Sequence, residues 1–432
     1  MKKILALFLA LCMISALCVV SASADDEPSV LKVAAFEGGY GVDYWEKICS
    51  AFEEAYGCKV ELTASPTIDE IVRPQMIAGD YPDVLFLNGA SMALYSEMVK
   101  EHAFEPLDDV FASKAYDHDC TVGELIAPGL LQTAFFSPYG DGKCYSAPMS
   151  SNAQAMVYNK TLFEQNGWEV PTTWDEFFAL GDAAKEKGYS LITYPGAYPD
   201  YNEVILLGAL ASALGPDAVT RANNYDASLI ETDEAKTVFE TLAKIAAGGY
   251  LMPGTTGLNH TQAQSEFMLD KALFIPNGDW LPGEMADAPR TEGFEWAACP
   301  VFAMKEGGDR YYRLICDGFN IPTSAQNKEL AKEFVRFFYS DQAQIFQNES
   351  GITPCTVNFA EVIGELSPDK VTFLKIRDEG IAFSSTFTAV DTKLSYADAI
   401  YGNLTSVMNG ELDAEGWRAA IIDTFTRISA GE

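Results

Sequence analysis

The sequence predicts an α/β protein built as two lobes, with the chain crossing between them. Three observations predict it. The chain has 432 residues, more than one hydrophobic core usually serves, since single cores stop growing near about 250–300 residues. Its first hundred residues alternate strand and helix patterns, the signature of a parallel sheet with right-handed crossovers. No Gly/Ser/Pro linker, repeat or low-complexity segment divides it, so two lobes here imply more than one crossing.

The N-terminus reads as an export signal. Met1-Lys2-Lys3 is a short basic segment, residues 4–20 form an almost unbroken apolar run, and Ala22-Ser23-Ala24 offers a small-residue cleavage site. Lipidation would need a small residue before a cysteine, but Leu11 precedes Cys12 and Leu17 precedes Cys18. Cleavage after Ala24 is therefore expected, without a lipid anchor. Removing 24 residues from 432 leaves 408, and removes Lys2 and Lys3. The mature chain then carries 27 basic against 62 acidic residues, a formal charge of −35. That argues against nucleic acid or an anionic membrane surface as partner. No later apolar run approaches the ~20 residues a membrane span needs. Outside the cytoplasm the protein cannot count on ATP or reduced nicotinamide, which leaves binding or hydrolysis as its work.

Residues 31–35 read as a buried strand, broken by Phe36-Glu37-Gly38-Gly39-Tyr40-Gly41. Val42, Trp45, Ile48, Cys49, Phe52 and Tyr56 then follow the i, i+3, i+4, i+7 rule of an amphipathic helix, stopped by Gly57. Residues 58–62 alternate like a strand, 67–78 read as a helix, and 83–87 as the next buried strand, ending at Asn88-Gly89. Ligands of parallel sheets bind beyond the carboxyl ends of the strands, here 36–40 and 88–91. A second module starts near Tyr145. Residues 155–158 read as a strand. Thr173 and Glu176 form a capping box that opens a helix, and residues 191–194 read as a strand before the aromatic loop Pro195-Gly196-Ala197-Tyr198-Pro199-Asp200-Tyr201. Residues 272–275 form a strand that runs into Pro276-Asn277-Gly278-Asp279-Trp280. Residues 296–301 read as a strand returning to the first lobe. A helix over 328–339 follows, with Leu330, Phe334, Phe337 and Phe338 inward, and the remainder reads as mostly helical.

Catalytic and metal motifs are missing. There is no phosphate-cradling G-x-x-x-x-G-K-[ST] and no G-x-S-x-G elbow. His102, His118 and His260 are scattered. Asp117, Asp119, Gly123 and Glu124 depart from the spacing of a calcium loop. Among 62 acidic residues no glycosidase pair can be chosen without geometry. Seven cysteines remain after cleavage, an odd number without a C-x-x-C; Cys120 with Cys144 is the pairing expected if a disulfide forms. No cofactor and no metal are expected.

Several pieces, taken in order and spacing, resemble the extracellular solute-binding proteins of ABC importers, of the carbohydrate-binding family 1 type. They are the first strand and aromatic loop with Trp45 and Phe52-Glu53; Tyr81-Pro82-Asp83-Val84; Met156-Val157-Tyr158-Asn159-Lys160; Pro171-Thr172-Thr173-Trp174-Asp175-Glu176-Phe177; Gly278-Asp279-Trp280; and Ile321-Pro322 before Glu329-Leu330-Ala331-Lys332-Glu333-Phe334. The loops at 36–41, 193–199 and 277–285 resemble the N-acetylglucosamine/diacetylchitobiose-binding branch more narrowly. The resemblance implies a periplasmic-binding-protein-like (type II) fold whose lobes are joined by hinge strands. It implies a mono- or oligosaccharide held in the cleft, closure on binding, and delivery to the membrane permease. A monomer is expected, exported to the extracellular or periplasmic side. The divisions expected are a signal peptide over 1–24, lobe 1 over 25–148, lobe 2 over 149–298, a return to lobe 1 over 299–345, and C-terminal helices on lobe 2 over 346–432.

A pyranose offers apolar C–H faces and a rim of hydroxyls, so its site needs flat aromatic faces and planar polar groups at the edge. Tyr40, Tyr198, Tyr201 and Trp280 could supply faces. Asn88, Ser151, Asn152, Asp279 and Asp317 could supply edge bonds, with Glu284 as a further candidate. Trp45 and Trp174 are read as core. Two other readings stay open: a secreted glycoside hydrolase with two carboxylates, and a receptor for a peptide or polyamine on the same fold.

Overall fold

The structure is a computed structural model. It describes residues 29–432 apart from 39–40, 128–129, 134, 386 and 389–391. The export signal, its cleavage site and Tyr40 lie outside the described residues.

Two mixed sheets organise the chain. The first runs in the order β2-β1-β3-β10-β4, from β1 (Val30–Phe36), β2 (Lys59–Ser65), β3 (Val84–Phe86), β4 (Ala147–Pro148) and β10 (Gly318–Asn320). β1 lies parallel to both β2 and β3, the arrangement expected from the alternating strand and helix patterns. β10 closes the sheet antiparallel to β3 and β4. The second runs in the order β11-β9-β5-β7-β6, from β5 (Asn152–Asn159), β6 (Ser190–Ile192), β7 (Ala272–Gly278), β9 (Tyr311–Ile315) and β11 (Ile381–Phe383). β8 (Trp296–Cys299) pairs antiparallel with β5.

Each sheet has its own packing. On β1, Leu31, Val33 and Ala35 face one core and Ala34 the other; on β3, Val84 and Phe86 divide from Leu85 in the same way. A sheet buried on both faces has continuous apolar strands, which is why 31–35 and 83–87 stand out as runs. Helix Asp43–Tyr56 lays Trp45, Ile48 and Phe52 into the first core and stops at Gly57, whose φ is 64°. Helix Lys328–Phe338 packs beside it through Phe334, Val335, Phe337 and Phe338. In the second core, helix Trp174–Glu186 starts at the expected capping box, with Glu176 N donating to Thr173 Oγ1 at 3.2 Å. Helix Glu203–Leu214 is buried over nearly its whole length.

The chain passes between the sheets at 148–152 and at 315–318. A third segment, 351–356, runs beside these two. Ser151 N donates to Thr353 O at 2.8 Å and Met149 N to Asp317 O at 2.7 Å, so the three segments lie side by side as a joint.

Residues 296–301 do not return to the first sheet. β8 and β9 both pair with β5, and the return comes at Gly318. An apolar run of four residues fits either sheet; its partner is chosen by tertiary packing, not by its own pattern. The third segment's Ile352 and Cys355 pack in the first core, whereas Trp417, Ile421 and Phe425 of helix Ala414–Ser429 pack in the second. All seven cysteines from Cys49 to Cys355 are free thiols, Cys120 and Cys144 included. Cys144 instead donates to Ser146 O at 3.2 Å. Burial pushes the thiols of Cys49, Cys144, Cys299 and Cys355 up to about 12.

Candidate functional site

A cleft of about 340 Å3 opens over the joint, within the range usual for small-molecule sites. Its residues come from both sheets. Asn88 and Gly89 follow β3; Asn152 and Gln154 stand on β5; Arg313 and Ile315 end β9; Asp317 lies in the crossover to β10. Asp200 and Tyr201 come from the loop after β6, and Trp280 and Glu284 from the turn after β7.

Two glycines let the loops take these positions. Gly89 has a φ of +55°, and a Cβ there would lie 2.9 Å from the Phe36 ring. At Gly278 a Cβ would lie 2.0 Å from the Trp280 indole. The indole is thus folded back against the end of β7, and only a glycine admits it.

Asp317 is held from two sides. Its Oδ1 accepts from Asn88 Nδ2 at 2.9 Å and its Oδ2 from Ser150 Oγ at 3.2 Å. Burial raises its pKa, and the bonds from Ser150 and Asn88, with the charge of Arg313, oppose the rise. Arg313 is fixed by two partners, Glu203 and Gln154, and Gln154 is tied in turn to Tyr201. Its Nη2 lies 2.9 Å from Glu203 Oε1, its Nη1 donates to Gln154 Oε1 at 3.3 Å, and Gln154 Nε2 donates to Tyr201 O at 3.2 Å. The hydroxyl of Tyr401 donates to the other oxygen of Glu203. Burial also raises the Tyr201 phenol; Glu284 and Asp200 add to this and a hydrogen bond with the Trp280 side chain opposes it. The cleft therefore presents an indole, a phenol, three amides, a guanidinium and carboxylates around one space. That is a set for binding a neutral polar molecule with flat faces. Among the described residues no cluster of His, Cys, Asp or Glu could hold a metal ion.

Of the residues singled out from sequence, Asn88, Asn152, Tyr201, Trp280 and Asp317 meet in the cleft. Asp279 does not face it. Asp279 is buried, accepts from Thr353 Oγ1 at 2.7 Å, and borders a neighbouring cavity that Trp280 also lines. Ser151 is buried in the joint, where Arg377 Nη2 donates to its carbonyl at 2.8 Å. Tyr198 is exposed and packs edge-on against His260 at 5.6 Å. Glu284, the further candidate, lines the cleft. Gln154, Asp200, Arg313 and Ile315 were not anticipated. A signal existed for two of them: Gln154 and Arg313 are polar interruptions of apolar strands, which are expensive unless partnered.

A family model described as bacterial extracellular solute-binding protein matches residues 38–345. The diacetylchitobiose binding protein NgcE of Streptomyces coelicolor is 24% identical over 335 residues, covering 76% of this chain and 70% of its own. The Multiple sugar-binding protein of Streptococcus mutans is 27% identical over 307 residues, covering 69% and 68%. Among solved structures, one described as a chitin oligosaccharide binding protein superposes with a TM-score of 0.70 at 20% identity, over 92% of this chain and 99% of its own.

Proposed function

The chain belongs to the bacterial extracellular solute-binding proteins, and from that membership we propose that it is the carbohydrate receptor of an ABC importer. It binds a mono- or oligosaccharide between its two lobes, without transforming it, and delivers it to the permease subunits. The observation that carries the reading is the cleft: Trp280 and Tyr201 offer flat faces, and Asn88, Asn152, Gln154, Arg313 and Asp317 offer edge partners around the same space. Relatives named for diacetylchitobiose and for multiple sugars support a sugar. The amide-and-guanidinium rim supports an acetamido sugar, whose carbonyl accepts and whose N–H donates. The chain is exported by cleavage after Ala24, acts as a monomer, and needs no cofactor; among the described residues no helix is long and apolar enough to cross a membrane.

Three chain segments side by side between the sheets suit a hinge. Closure is then stabilised only by the sugar's higher affinity for the closed state. A thermal-shift screen of residues 25–432 against monosaccharides, N-acetylglucosamine and diacetylchitobiose tests the reading. A ligand at 100 times its dissociation constant adds about 2.7 kcal/mol of stability. A rise in melting temperature with one sugar class is expected; no rise with any sugar, from a folded protein, overturns the proposal.

A further inference from the structure

Among the described residues that line the cleft, Arg313 is the one base, against the acids Asp200, Glu284 and Asp317. A guanidinium at a sugar's edge would ordinarily draw acidic sugars, since it matches a carboxylate in geometry as well as in charge. Here its charge is answered from behind. Glu203 Oε1 lies 2.9 Å from Arg313 Nη2, while Glu203 itself does not border the cleft.

Glu203 is the first residue of helix Glu203–Leu214, and the residues that follow it, 204–211, are apolar and buried. Its carboxylate stands at the positive end of that helix and is itself buried. A buried carboxylate is costly unless it is paired. Glu203 meets Arg313 on one oxygen and the Tyr401 hydroxyl on the other. Its charge also reaches the cleft wall: burial raises the Asp200 carboxyl, Glu203 adds to the rise and Arg313 opposes it. With Arg313 compensated in this way, an anion entering the cleft meets no unbalanced cation, and the carboxyls beside it repel it whenever they are ionised. The guanidinium remains as a set of directed donors for a neutral hydroxyl or carbonyl.

We propose that Glu203 is a specificity-determining residue: by cancelling the charge of Arg313 from behind the cleft, it makes the receptor reject acidic sugars in favour of neutral ones. It acts through Arg313, without touching the ligand. This rests on the carbohydrate-receptor reading above. It adds to that reading the charge class of the ligand and the residue that sets it.

The test is calorimetric titration of the mature chain with diacetylchitobiose and with two acidic forms of it, one oxidised to the carboxylate at C6 and one to the aldonic acid at C1. The parent should bind both acids more weakly than the neutral disaccharide, by roughly tenfold or more. Glu203→Gln keeps the shape of the side chain and its acceptor while removing the charge. For at least one acid it should narrow the gap roughly fivefold or more, because charges several ångström apart still interact inside a protein. Adding Arg313→Gln should restore the gap, since the gain runs through the guanidinium. Each gap is a ratio taken within one protein, so a general loss of binding from a disturbed site cancels. Tyr401→Phe disturbs the same buried cluster with the charge of Glu203 kept, and should hold the parent's ratio. A parent gap below tenfold, a gap that Glu203→Gln leaves unnarrowed for both acids, or a narrowing that Tyr401→Phe reproduces overturns the proposal and leaves the receptor reading standing. No binding of diacetylchitobiose or its acids by the folded parent overturns both.

Discussion

Asn88 and Asp317 join the end of a strand to the joint between the sheets: Asn88 Nδ2 donates to Asp317 Oδ1 at 2.9 Å. Asn88 closes the first sheet's β3, and Asp317 lies where the chain leaves β9 for β10. The second oxygen of the same carboxylate takes Ser150 Oγ, on a neighbouring crossover. One side chain thus pins two crossovers and still borders the cleft.

Asp317→Ala should therefore do two things at once. It leaves Asn88 and Ser150 without their acceptor, a loss of about 1–3 kcal/mol for part-buried groups. It should also weaken sugar binding at least tenfold. Denaturant unfolding and calorimetry on one preparation check both; an unchanged midpoint with unchanged affinity would remove Asp317 from joint and site alike.

Trp280→Ala should weaken sugar binding at least tenfold and leave the protein folded. The indole lies against Gly278 on the surface of the cleft and is not in either core. Circular dichroism should be unchanged. Undiminished affinity in calorimetry would take Trp280 out of the site.

Arg313 should be intolerant of lysine. Its guanidinium reaches Glu203 and Gln154 together, and an ammonium cannot present that fork. Arg313→Lys should lower affinity roughly tenfold with its charge kept. Tyr401→Phe, which removes the hydroxyl bonded to Glu203 behind Arg313, should cost about 1–3 kcal/mol of stability by leaving one oxygen of buried Glu203 unpartnered. Equal affinity of Arg313→Lys and the parent would show that the fork is not used.

Stability should fall as pH rises through the range where Asp317 titrates. Its pKa is raised in the folded state, against about 3.9 in the unfolded chain. From about pH 4 upward, to the folded value, the folded state holds more protons than the unfolded state. Its contribution is thus present below the unfolded pKa and lost as pH rises through the folded one. Asp317→Asn should show a shallower decline of melting temperature over that window. Parallel curves would show that burial does not govern this carboxyl.

Much of the fold was legible because its signals are local. The helix at Asp43–Tyr56 declares itself through an apolar stripe and Gly57, and the helix at Trp174–Glu186 through Thr173 and Glu176. The runs at 31–35 and 83–87 are continuous because both their faces are covered. The partner of β8 was not legible, since residues 296–299 would suit either sheet. At the site, strand ends and aromatic loops pointed to Asn88, Tyr201 and Trp280. They could not tell Trp280 from its neighbour Asp279, which the turn after β7 directs inward to Thr353. Nor could they separate Tyr201 from Tyr198, three residues apart in one loop. Arg313 was passed over because its value depends on Glu203, 110 residues away in sequence.

The most direct test of the account is titration of the mature protein with diacetylchitobiose in a calorimeter, followed by analysis of the recovered sugar. Saturable binding of one ligand per chain is expected, weakened at least tenfold in Trp280→Ala, with the disaccharide recovered intact. Cleaved sugar, or no heat from this or any longer oligomer, would contradict it.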